Sequence, residues 1–376
     1  MSFKALSYLL SIRWDLCPAQ TPESVIVHLK DVLKRKLFLQ QCYEAPLENG
    51  SFSVLQATET PPLPSLTAFI RRYDHQHFYS INIEAIKGEN LTDDAKKNLS
   101  RVIDETRDEL RGIIGDCIEK IPALKRGCPV FNYYVSSDDR VLEYDFQKIL
   151  FDRRSKFQHV KIMESKTFGN ALFLDDLQNL AEKDLPYTHG LMNYGKVDYK
   201  DKDILILGGG DGGLLHELLK EEPKFVTMID IDDAVVEGCK KYLRGACGSV
   251  LDTLKTDKYE IIIDDCLPNL EQFLRDGRKF DVIFNDLTDI PIHGDEDASS
   301  KDVWALIKRI LNLSLPCLCK NGKYMNHAIG SGCVQALGTY ENLLRSMPFK
   351  LEFSRHSAFV PSFLEEWVFY DVTKLD

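Results

Sequence analysis

The amino-acid sequence predicts an α/β fold in which a doubly wound, largely parallel sheet follows two smaller domains. From about residue 185, strand-like apolar runs alternate with helical patterns, as in parallel sheets covered by helices. Residues 126–184 contain short apolar runs at the spacing of a small antiparallel sheet. Residues 1–125 mix such runs with two helical patterns, which indicates an α+β domain. We therefore expect three domains, at 1–125, 126–184 and 185–376.

The N-terminal domain is expected to contain two helices. The Thr21 side chain can cap a helix and Pro22 favours the first helical position, so a helix should begin there. A charged amphipathic pattern over residues 92–120 predicts a second, longer helix, with Leu99 and Ile103 on its apolar side. No pattern in this domain suggests catalysis, and assembly is its expected role.

The C-terminal domain is expected to contain a sheet of seven strands. They are predicted near residues 204–208, 225–231, 259–263, 280–285, 322–327, 349–355 and 366–371. Helical segments separate most of them, but only the loop RHSAFVPSFLEE separates the last two. A direct return of this kind predicts an antiparallel pair at the end of the sheet. That ending favours an AdoMet-methyltransferase-like Rossmann sheet over a dinucleotide dehydrogenase.

Charge and hydropathy exclude several classes of protein. The chain has 376 residues and a formal net charge of −11, which argues against a general nucleic-acid binder with a basic face. No apolar stretch approaches the length of a membrane span, and ALSYLLSI near the N-terminus is too short for a typical signal peptide. We expect a cytoplasmic protein that binds neither nucleic acid nor a membrane.

The spacing of cysteines and histidines predicts no metal site. The ten cysteines are scattered without a C-x-x-C pair, and half lie in apolar patterns, so we expect reduced thiols in the core. Histidines that could act as a general base or as metal ligands are His159, His189, His293, His327 and His356. They are dispersed without i, i+4 spacing, and we expect them on the surface or in the core.

A glycine-rich turn, within DILILGGGDGGLLHEL, follows the first strand of the C-terminal domain. Gly208, Gly210 and Gly213 have the G-x-G-x-x-G spacing of a nucleotide-binding turn between a strand and a helix. Such turns usually hold phosphate, because helix N-termini attract anions. In this chain Asp211 lies in the middle of the turn, where a phosphate would meet a negative charge.

Acidic residues follow four strands of the predicted sheet. Asp211 follows the first strand, Asp230 ends the second, Asp265 follows the third and Asp286 follows the fourth. Ligands of such sheets bind at the carboxyl ends of the strands, so we expect these four carboxylates to share one crevice. Each could also be only a helix N-cap, an interpretation that we favour for Asp232. For Asp264 and Asp289 both interpretations stay open.

The positions of the four acids predict an adenosine with a positively charged substituent. Asp230 lies 20 residues after the second glycine of the motif, where a carboxylate can accept hydrogen bonds from both ribose hydroxyls. Asp265 is placed to bind the exocyclic amine of adenine, beside the backbone of Cys266. Asp211 and Asp286 would face the 5′ substituent, and two carboxylates would repel the pyrophosphate of NAD. A sulfonium with amines would suit them.

Seven segments of the chain carry a resemblance to a known family. They are YYVSSDDRVLEYD, FQHVKIMESKTFGNALFLDD, LAEKDLPYT, ILILGGGDGGLL, IIIDDCLP, FDVIFNDLT and VPSFLEEWVFY. In this order they resemble the aminopropyltransferases, and among these they are most similar to the spermine synthases of the animal type. The resemblance covers residues 130–371. Spermine synthases have an extra N-terminal domain for dimerisation, and the first 125 residues resemble it only in general character, without matching motifs.

The resemblance implies a role for each of a set of residues. The donor would contact Gln158, Gly208, Gly210, Asp230, Asp265 and Cys266. The acceptor would contact Tyr187, Asp211, Phe363, Glu365 and Trp367. Catalysis would depend on Asp286 as proton acceptor and on Asp211. The chain departs from the family at three of these positions or near them: Asp230 is one methylene shorter than the family's acid, Phe363 lacks the family's phenol, and Asp289 keeps an acid typical of spermidine synthases.

The resemblance also implies a reaction. An aminopropyl group would pass from decarboxylated S-adenosylmethionine to spermidine, giving spermine and 5′-methylthioadenosine. The donor is a co-substrate, and neither a metal nor a tightly bound cofactor is expected, because the leaving group is a neutral thioether. A homodimer formed through residues 1–125 is implied as well. Three alternatives stay open: a spermidine or thermospermine synthase, an AdoMet-dependent methyltransferase, and an inactive relative that binds polyamines or nucleosides.

Overall fold

A computed structural model of the chain describes residues 3–17, 20–57, 65–86, 93–136, 140–292 and 300–376. His293, and residues 137–139 of the segment YYVSSDDRVLEYD, lie outside these ranges. The chain forms two compact units, Met1–Phe131 and Asn132–Asp376, each with its own apolar core. The separate domain expected for residues 126–184 stays a prediction.

In the part of the first unit that the structure describes, an antiparallel sheet packs with two α-helices. Its elements are β1 (Ala5–Arg13), α1 (Pro22–Leu37), β2 (Leu39–Leu47), β3 (Gly50–Ala57), β4 (Leu66–Tyr73), β5 (Phe78–Ile86), α2 (Asp93–Ile114) and β6 (Ile118–Arg126). The strand order is β2-β3-β4-β5-β1-β6, so the apolar run ALSYLLSI forms an interior strand. Both helices bury apolar side chains in the same core as the strands, among them Leu29 and Ile103.

The first helix begins where the sequence predicts, and the second is shorter than predicted. Thr21 Oγ1 accepts a hydrogen bond from the Ser24 backbone N–H at 3.2 Å, and Pro22 is the first helical residue. The prediction of a helix up to residue 120 is wrong, because α2 ends at Ile114. Gly115 follows with a φ of +88°, in the left-handed region that commonly ends helices. The next residues enter β6, which pairs with β1.

Two cysteines of the first unit, Cys17 and Cys117, form a disulfide with their Cα atoms 5.7 Å apart. The expectation of reduced thiols is therefore wrong for this pair. The two residues are 100 positions apart, so no local spacing could indicate the pairing. Pairing between the end of β1 and the start of β6 brings them together, since the Arg13 N–H donates to the Cys117 carbonyl at 3.0 Å.

The described residues at the start of the second unit form two small antiparallel sheets. The elements of these sheets are β7 (Tyr133–Val135), β8 (Val141–Glu143), β9 (Phe146–Arg154), β10 (His159–Ser165), β11 (Gly169–Leu174) and β12 (Leu177–Ala181). The strands β7 and β8 form a two-stranded ribbon, and the other four form a sheet in the order β12-β11-β10-β9. These strands supply several side chains to the cavity described below.

The main sheet of the second unit has seven strands among the described residues, with helices between most of them. Its elements are α3 (Leu185–Leu191), β13 (Asp203–Gly208), α4 (Gly213–Lys220), β14 (Phe225–Asp230), α5 (Asp233–Tyr242), α6 (Arg244–Cys247), β15 (Tyr259–Ile263), α7 (Cys266–Arg275), β16 (Phe280–Asp286), α8 (Lys301–Cys317), β17 (Leu318–Gly330), α9 (Val334–Ser346), β18 (Leu351–Val360) and β19 (Glu365–Lys374). The order is β15-β14-β13-β16-β17-β19-β18. The strands β13 to β17 run parallel, and β19 is antiparallel to both of its neighbours.

This topology confirms the predicted α/β class with its antiparallel end. The chain proceeds outward from β13 to β15 and then crosses back to β16 on the other side of β13. Ligands of such sheets bind where the strand order reverses, at the carboxyl ends of the two central strands. Within the described ranges, no helix has both the length and the apolar character needed to cross a membrane.

Candidate active site

A cavity of about 420 Å³ opens at the carboxyl ends of β13, β14 and β16. Its lining includes the glycine turn after β13 and the residues that directly follow β16. Of the described residues, six with carboxylate side chains line it: Asp175, Asp211, Asp230, Asp286, Asp289 and Glu365. The described lining residues include no lysine and no arginine. Such a cavity attracts a cationic ligand and repels a phosphate.

Two glycines allow the turn to approach the neighbouring acids. Gly208 has a φ of +84°, and a Cβ atom there would lie 2.1 Å from the backbone oxygen of Asp286. The Gly210 N–H donates to Asp230 Oδ2 at 2.8 Å. A Cβ atom on Gly210 would lie 2.6 Å from the same carboxylate. A side chain at either position would therefore push the turn away from the adjacent strand.

Asp211 and Asp230 are held by backbone N–H groups. Asp211 Oδ1 accepts a hydrogen bond from Gly213 at 2.7 Å, and Asp230 Oδ1 accepts one from Asp232 at 2.9 Å. Burial raises the pKa of Asp211 to about 7, with a further contribution from the charge of Asp286. Burial also raises the pKa of Asp230. A bound cation would reverse both shifts, because it stabilises the ionised carboxylates.

Asp286 ends β16 and contacts two other ionisable side chains. The Tyr187 hydroxyl, from α3, donates to Asp286 Oδ1 at 2.7 Å. His327, from β17, has its Nε2 atom 3.9 Å from the same oxygen and its Nδ1 atom 3.3 Å from Asp289 Oδ1. Burial raises the pKa of Asp286, whereas His327 and Tyr187 oppose the rise. The site thus combines a carboxylate that can accept a proton with a phenol that orients it.

Aromatic side chains and Glu365 also line the cavity, around the turn between β18 and β19. The ring centroids of Phe363 and Trp367 are 4.9 Å apart, and those of Phe363 and Tyr187 are 5.9 Å apart. Glu365 forms an ion pair with Arg140, which directly precedes β8. An ammonium group that binds Glu365 would compete with this arginine.

Sequence models of two domain families match the chain. The spermine/spermidine synthase domain matches residues 184–375, and the spermidine synthase tetramerisation domain matches residues 130–182. The first match alone spans slightly more than half of the chain.

The chain belongs to the aminopropyltransferase family.

Curated members of the family are similar to parts of this chain. A polyamine aminopropyltransferase of Pyrobaculum aerophilum is 35% identical over 164 residues, which are 42% of this chain and 55% of the relative. A thermospermine synthase of Arabidopsis thaliana is 27% identical over 244 residues, 63% of this chain and 68% of the relative. The chain thus spans about half the length of the first of these curated relatives. A spermidine synthase solved with the transition-state analogue AdoDATO shares the fold, with a TM-score of 0.52, 21% identity and coverage of 67% of this chain and 84% of that one.

Most residues that the sequence assigns to the aminopropyltransferase site line the cavity. They are Gln158, Tyr187, Gly208, Gly210, Asp211, Asp230, Asp286, Phe363, Glu365 and Trp367. Asp265 and Cys266, both described, are not among the lining residues. Asp265 Oδ1 accepts a hydrogen bond from the Leu267 N–H at 2.9 Å and caps α7, and the Cys266 thiol is buried. Their contact with adenine stays a prediction.

Asp232 has the N-cap role that the sequence predicts, and it also fixes a site residue. Its Oδ1 atom accepts a hydrogen bond from the Ala234 N–H at 3.0 Å at the start of α5. Its Oδ2 atom accepts one from Gln158 Nε2, also at 3.0 Å. The cap of α5 therefore holds Gln158 at the edge of the cavity.

Two further residues shape the cavity: His327, which the sequence suggested only as a surface or core histidine, and Asp184, which no motif singled out. His327 lines the cavity. It lies near the end of the fifth parallel strand, just as Asp286 ends the fourth, and this position was the sequence signal for a site residue. Asp184 is buried and accepts hydrogen bonds from the Ser362 N–H at 2.9 Å and from the Ser362 hydroxyl. The turn that precedes Glu365 is thereby anchored. Asp184 lies within LAEKDLPYT and looks like a helix cap, but it makes no capping hydrogen bond.

Proposed function

We propose that this protein transfers an aminopropyl group from decarboxylated S-adenosylmethionine to spermidine, giving spermine and 5′-methylthioadenosine. The observation that carries the proposal is the cavity lining: six carboxylates beside the glycine turn, with no lysine or arginine among the described lining residues. Both substrates are cations without phosphate. Family membership supports the proposal, as does the solved relative with bound AdoDATO.

The donor would bind with its nucleoside along the glycine turn. Asp230 would accept hydrogen bonds from the ribose hydroxyls, and Gln158 would contact the same part of the donor. The sulfonium and the aminopropyl chain would then lie near Asp211 and Asp286. A methyltransferase would bring the α-carboxylate of AdoMet close to Asp211, and two like charges in a buried site are unfavourable. This repulsion is our reason for preferring aminopropyl transfer to methyl transfer.

The proposed reaction is a direct displacement at carbon. The primary amine of the acceptor attacks the methylene carbon next to the sulfonium. The C–S bond breaks, and its electron pair remains on sulfur as a neutral thioether. The attacking nitrogen gives up a proton, which Asp286 would accept while the Tyr187 hydroxyl holds its Oδ1 atom. Alignment of the nitrogen with the C–S bond would supply much of the rate.

Proton transfer is the difficult part of this mechanism. An alkylamine has a pKa of about 10 and an aspartate a pKa of about 3.9, a gap of about six units that corresponds to roughly 8 kcal/mol. Burial raises the pKa of Asp286 and so reduces the difference between the pKa of the amine and that of the acid. The amine must also be available in its neutral form, because an ammonium cannot attack. Asp286 would therefore orient the neutral amine and accept its proton as the bond forms.

The choice of acceptor depends on two features of the cavity. Glu365 provides a carboxylate for a further ammonium group, and Phe363 and Trp367 provide apolar walls for methylene groups, which favours the triamine spermidine. Asp289, also in the lining, is an acid of the spermidine-synthase type and favours the diamine putrescine as a second candidate. We propose spermidine as the acceptor.

Replacing Glu365 tests the acceptor end of the site. Glu365→Gln removes the negative charge and should raise the KM for spermidine about tenfold, the effect of losing about 1.4 kcal/mol of binding. The affinity for 5′-methylthioadenosine should not change. Steady-state kinetics and isothermal titration calorimetry measure the two quantities. Glu366→Gln is the matched control, since Glu366 is exposed and does not line the cavity. Weaker binding of 5′-methylthioadenosine in Glu365→Gln would contradict this orientation.

A product assay tests the function itself. Purified protein would receive decarboxylated S-adenosylmethionine with spermidine or with putrescine, and AdoMet with spermidine as the control. Mass spectrometry, with chromatography to separate spermine from thermospermine, should detect spermine and 5′-methylthioadenosine. Spermidine from putrescine would instead identify the second candidate, and methylated spermidine would identify a methyltransferase. No product with either donor would contradict the proposal.

The remaining expectations concern assembly and location. We propose a homodimer formed through residues 1–125, supported by the independent core of the first unit. The match of residues 130–182 to a tetramerisation domain supports an oligomer in general. Light scattering on the intact chain would measure the mass, and a monomer would contradict the proposal. A cytoplasmic location stays a prediction.

A further inference from the structure

His327 is a buried titratable residue that the proposed mechanism does not use. It lies near the carboxyl end of β17, and only 6% of its side chain is exposed. Its ring lies between two carboxylates, with Nε2 3.9 Å from Asp286 Oδ1 and Nδ1 3.3 Å from Asp289 Oδ1. The distance between Nδ1 and Asp289 Oδ1 is short enough for an ion pair, but the two atoms do not have the geometry of a hydrogen bond. Asp289 is 47% exposed, so the imidazole separates a buried acid from one in contact with water.

The groups that face this ring come from three elements. Among the described residues, the charged or titratable ones are Asp286 from β16, Asp289 from the loop after β16, and Tyr187 from α3, whose ring centroid is 5.8 Å away. The strand partner on β19 is the uncharged Phe369. Burial by itself lowers the pKa of His327, but the two carboxylates outweigh it and raise the pKa above its ordinary value. The surroundings therefore favour a cationic ring.

We propose that His327 is a positioning residue for the aminopropyl transfer, acting as an imidazolium between Asp286 and Asp289 that keeps the attacking amine in its neutral form. The inference rests on the proposed function. It concerns a charge inside the site, not a further group that touches the reacting atoms.

The physical basis is the charge balance of the cavity. Carboxylates such as Asp211, Asp286 and Asp289 hold the acceptor nitrogen as an ammonium, which has no lone pair with which to attack. A positive charge near Asp286 offsets part of this negative potential and so lowers the pKa of the bound amine. It also keeps Asp286 ionised in spite of burial, so that Asp286 can accept the proton. The same charge makes Asp286 a weaker base, so its benefit lies in freeing the lone pair of the amine and in keeping Asp286 in the form that accepts a proton.

His327→Gln tests the proposal, because glutamine keeps a polar side chain of similar length without the charge. We expect kcat at neutral pH to fall about 10- to 100-fold, the effect of one unit charge a few ångströms away at an intermediate dielectric. The ratio of wild-type to variant kcat should shrink toward one as the pH rises and the imidazolium of the wild type loses its proton. A ratio that does not change with pH would show a merely structural role and overturn the proposal.

Two further variants make the test specific. Asp289→Asn removes a carboxylate that stabilises the imidazolium. His327→Gln should therefore lower kcat by a smaller factor in the Asp289→Asn background than in the wild type. If His327→Gln alone folds poorly, ring titration in the wild type and in Asp289→Asn, both of which keep His327, tests the proposal instead. His189→Gln is the matched control: His189 lies 3.2 Å from Glu217, another histidine–carboxylate pair, and neither residue lines the cavity. If His327→Gln lowered kcat by the same factor in both backgrounds, the result would contradict the coupling between His327 and Asp289.

A measurement on the free protein separates this inference from the proposed function. Nuclear magnetic resonance of labelled histidine rings, assigned with His327→Gln, should show the His327 ring protonated at pH 7 and titrating at lower pH in Asp289→Asn. A neutral His327 ring at pH 7 in the wild type would overturn the inference, whatever the activity. Absence of turnover in the wild type would contradict the proposed function, and the titration would still report the charge of the ring.

Discussion

Asp286→Asn should lower kcat for aminopropyl transfer by about three orders of magnitude, within the range that general acid–base groups contribute. The reason is that asparagine cannot accept the proton of the attacking amine. The affinity for 5′-methylthioadenosine should stay within about twofold, equivalent to less than 1 kcal/mol, because Asp286 does not bind the nucleoside in the proposed arrangement. Single-turnover kinetics and isothermal titration calorimetry measure the two effects. A near-normal rate would contradict the assignment of Asp286 as proton acceptor.

The stability of this variant distinguishes loss of chemistry from loss of fold. Because burial raises the pKa of Asp286 in the folded protein, ionisation of Asp286 opposes folding at neutral pH. The asparagine variant lacks this ionisation, so its Tm at pH 7 should equal or exceed that of the wild type. Asp257→Asn, on the exposed turn before β15, is the control and should change neither rate nor Tm. A markedly lower Tm in Asp286→Asn would mean that its inactivity reflects unfolding.

Gly208→Ala should destabilise the second unit by ~3 kcal/mol or more, as expected for backbone strain combined with a steric clash, and should abolish activity. The φ of +84° disfavours any L side chain. A Cβ atom would also lie 2.1 Å from the Asp286 carbonyl oxygen, a distance that requires the backbone of β13 or β16 to move. Chemical denaturation measures the stability, and the product assay measures the activity.

Gly195→Ala separates the two causes of this effect. Gly195 also has a positive φ, +76°, but a Cβ atom there would meet nothing within 4 Å. The variant should therefore lose only the stability that backbone strain at a positive φ costs, about 1–2 kcal/mol, and its kcat should be normal. Equal destabilisation in the two variants would show that the approach of Gly208 to Asp286 is not required.

Three carboxylates of the cavity could be predicted because they follow strands. Asp211, Asp230 and Asp286 come directly after apolar strand patterns, and parallel strands present their carboxyl ends at one edge of a sheet. All three line one cavity in the structure. The same rule predicts Asp265 in that cavity, since Asp265 also follows a strand, but Asp265 is not among the lining residues. The local pattern could not distinguish a helix cap at the outer strand β15 from a ligand at the inner strands.

Other features depend on contacts between distant residues and could not be predicted from local patterns. The Cys17–Cys117 pair follows from the pairing of β1 with β6. Asp184 has a helix-cap position but binds Ser362 instead, 178 positions later. In each case the chain offers several partners of similar chemistry, and the register of a sheet or the packing of a turn selects one.

The sequence by itself determined the class of fold, the glycine turn and the negative charge of the candidate site, because these depend on local periodicity and on residue type. Only the tertiary structure decided which ionisable groups meet around Asp286. His327 is an unremarkable histidine in the sequence, yet the order of β16 and β17 in the sheet brings its ring between Asp286 and Asp289. Charges act through space over a few ångströms, so the chemistry of the site depends on distances that folding sets.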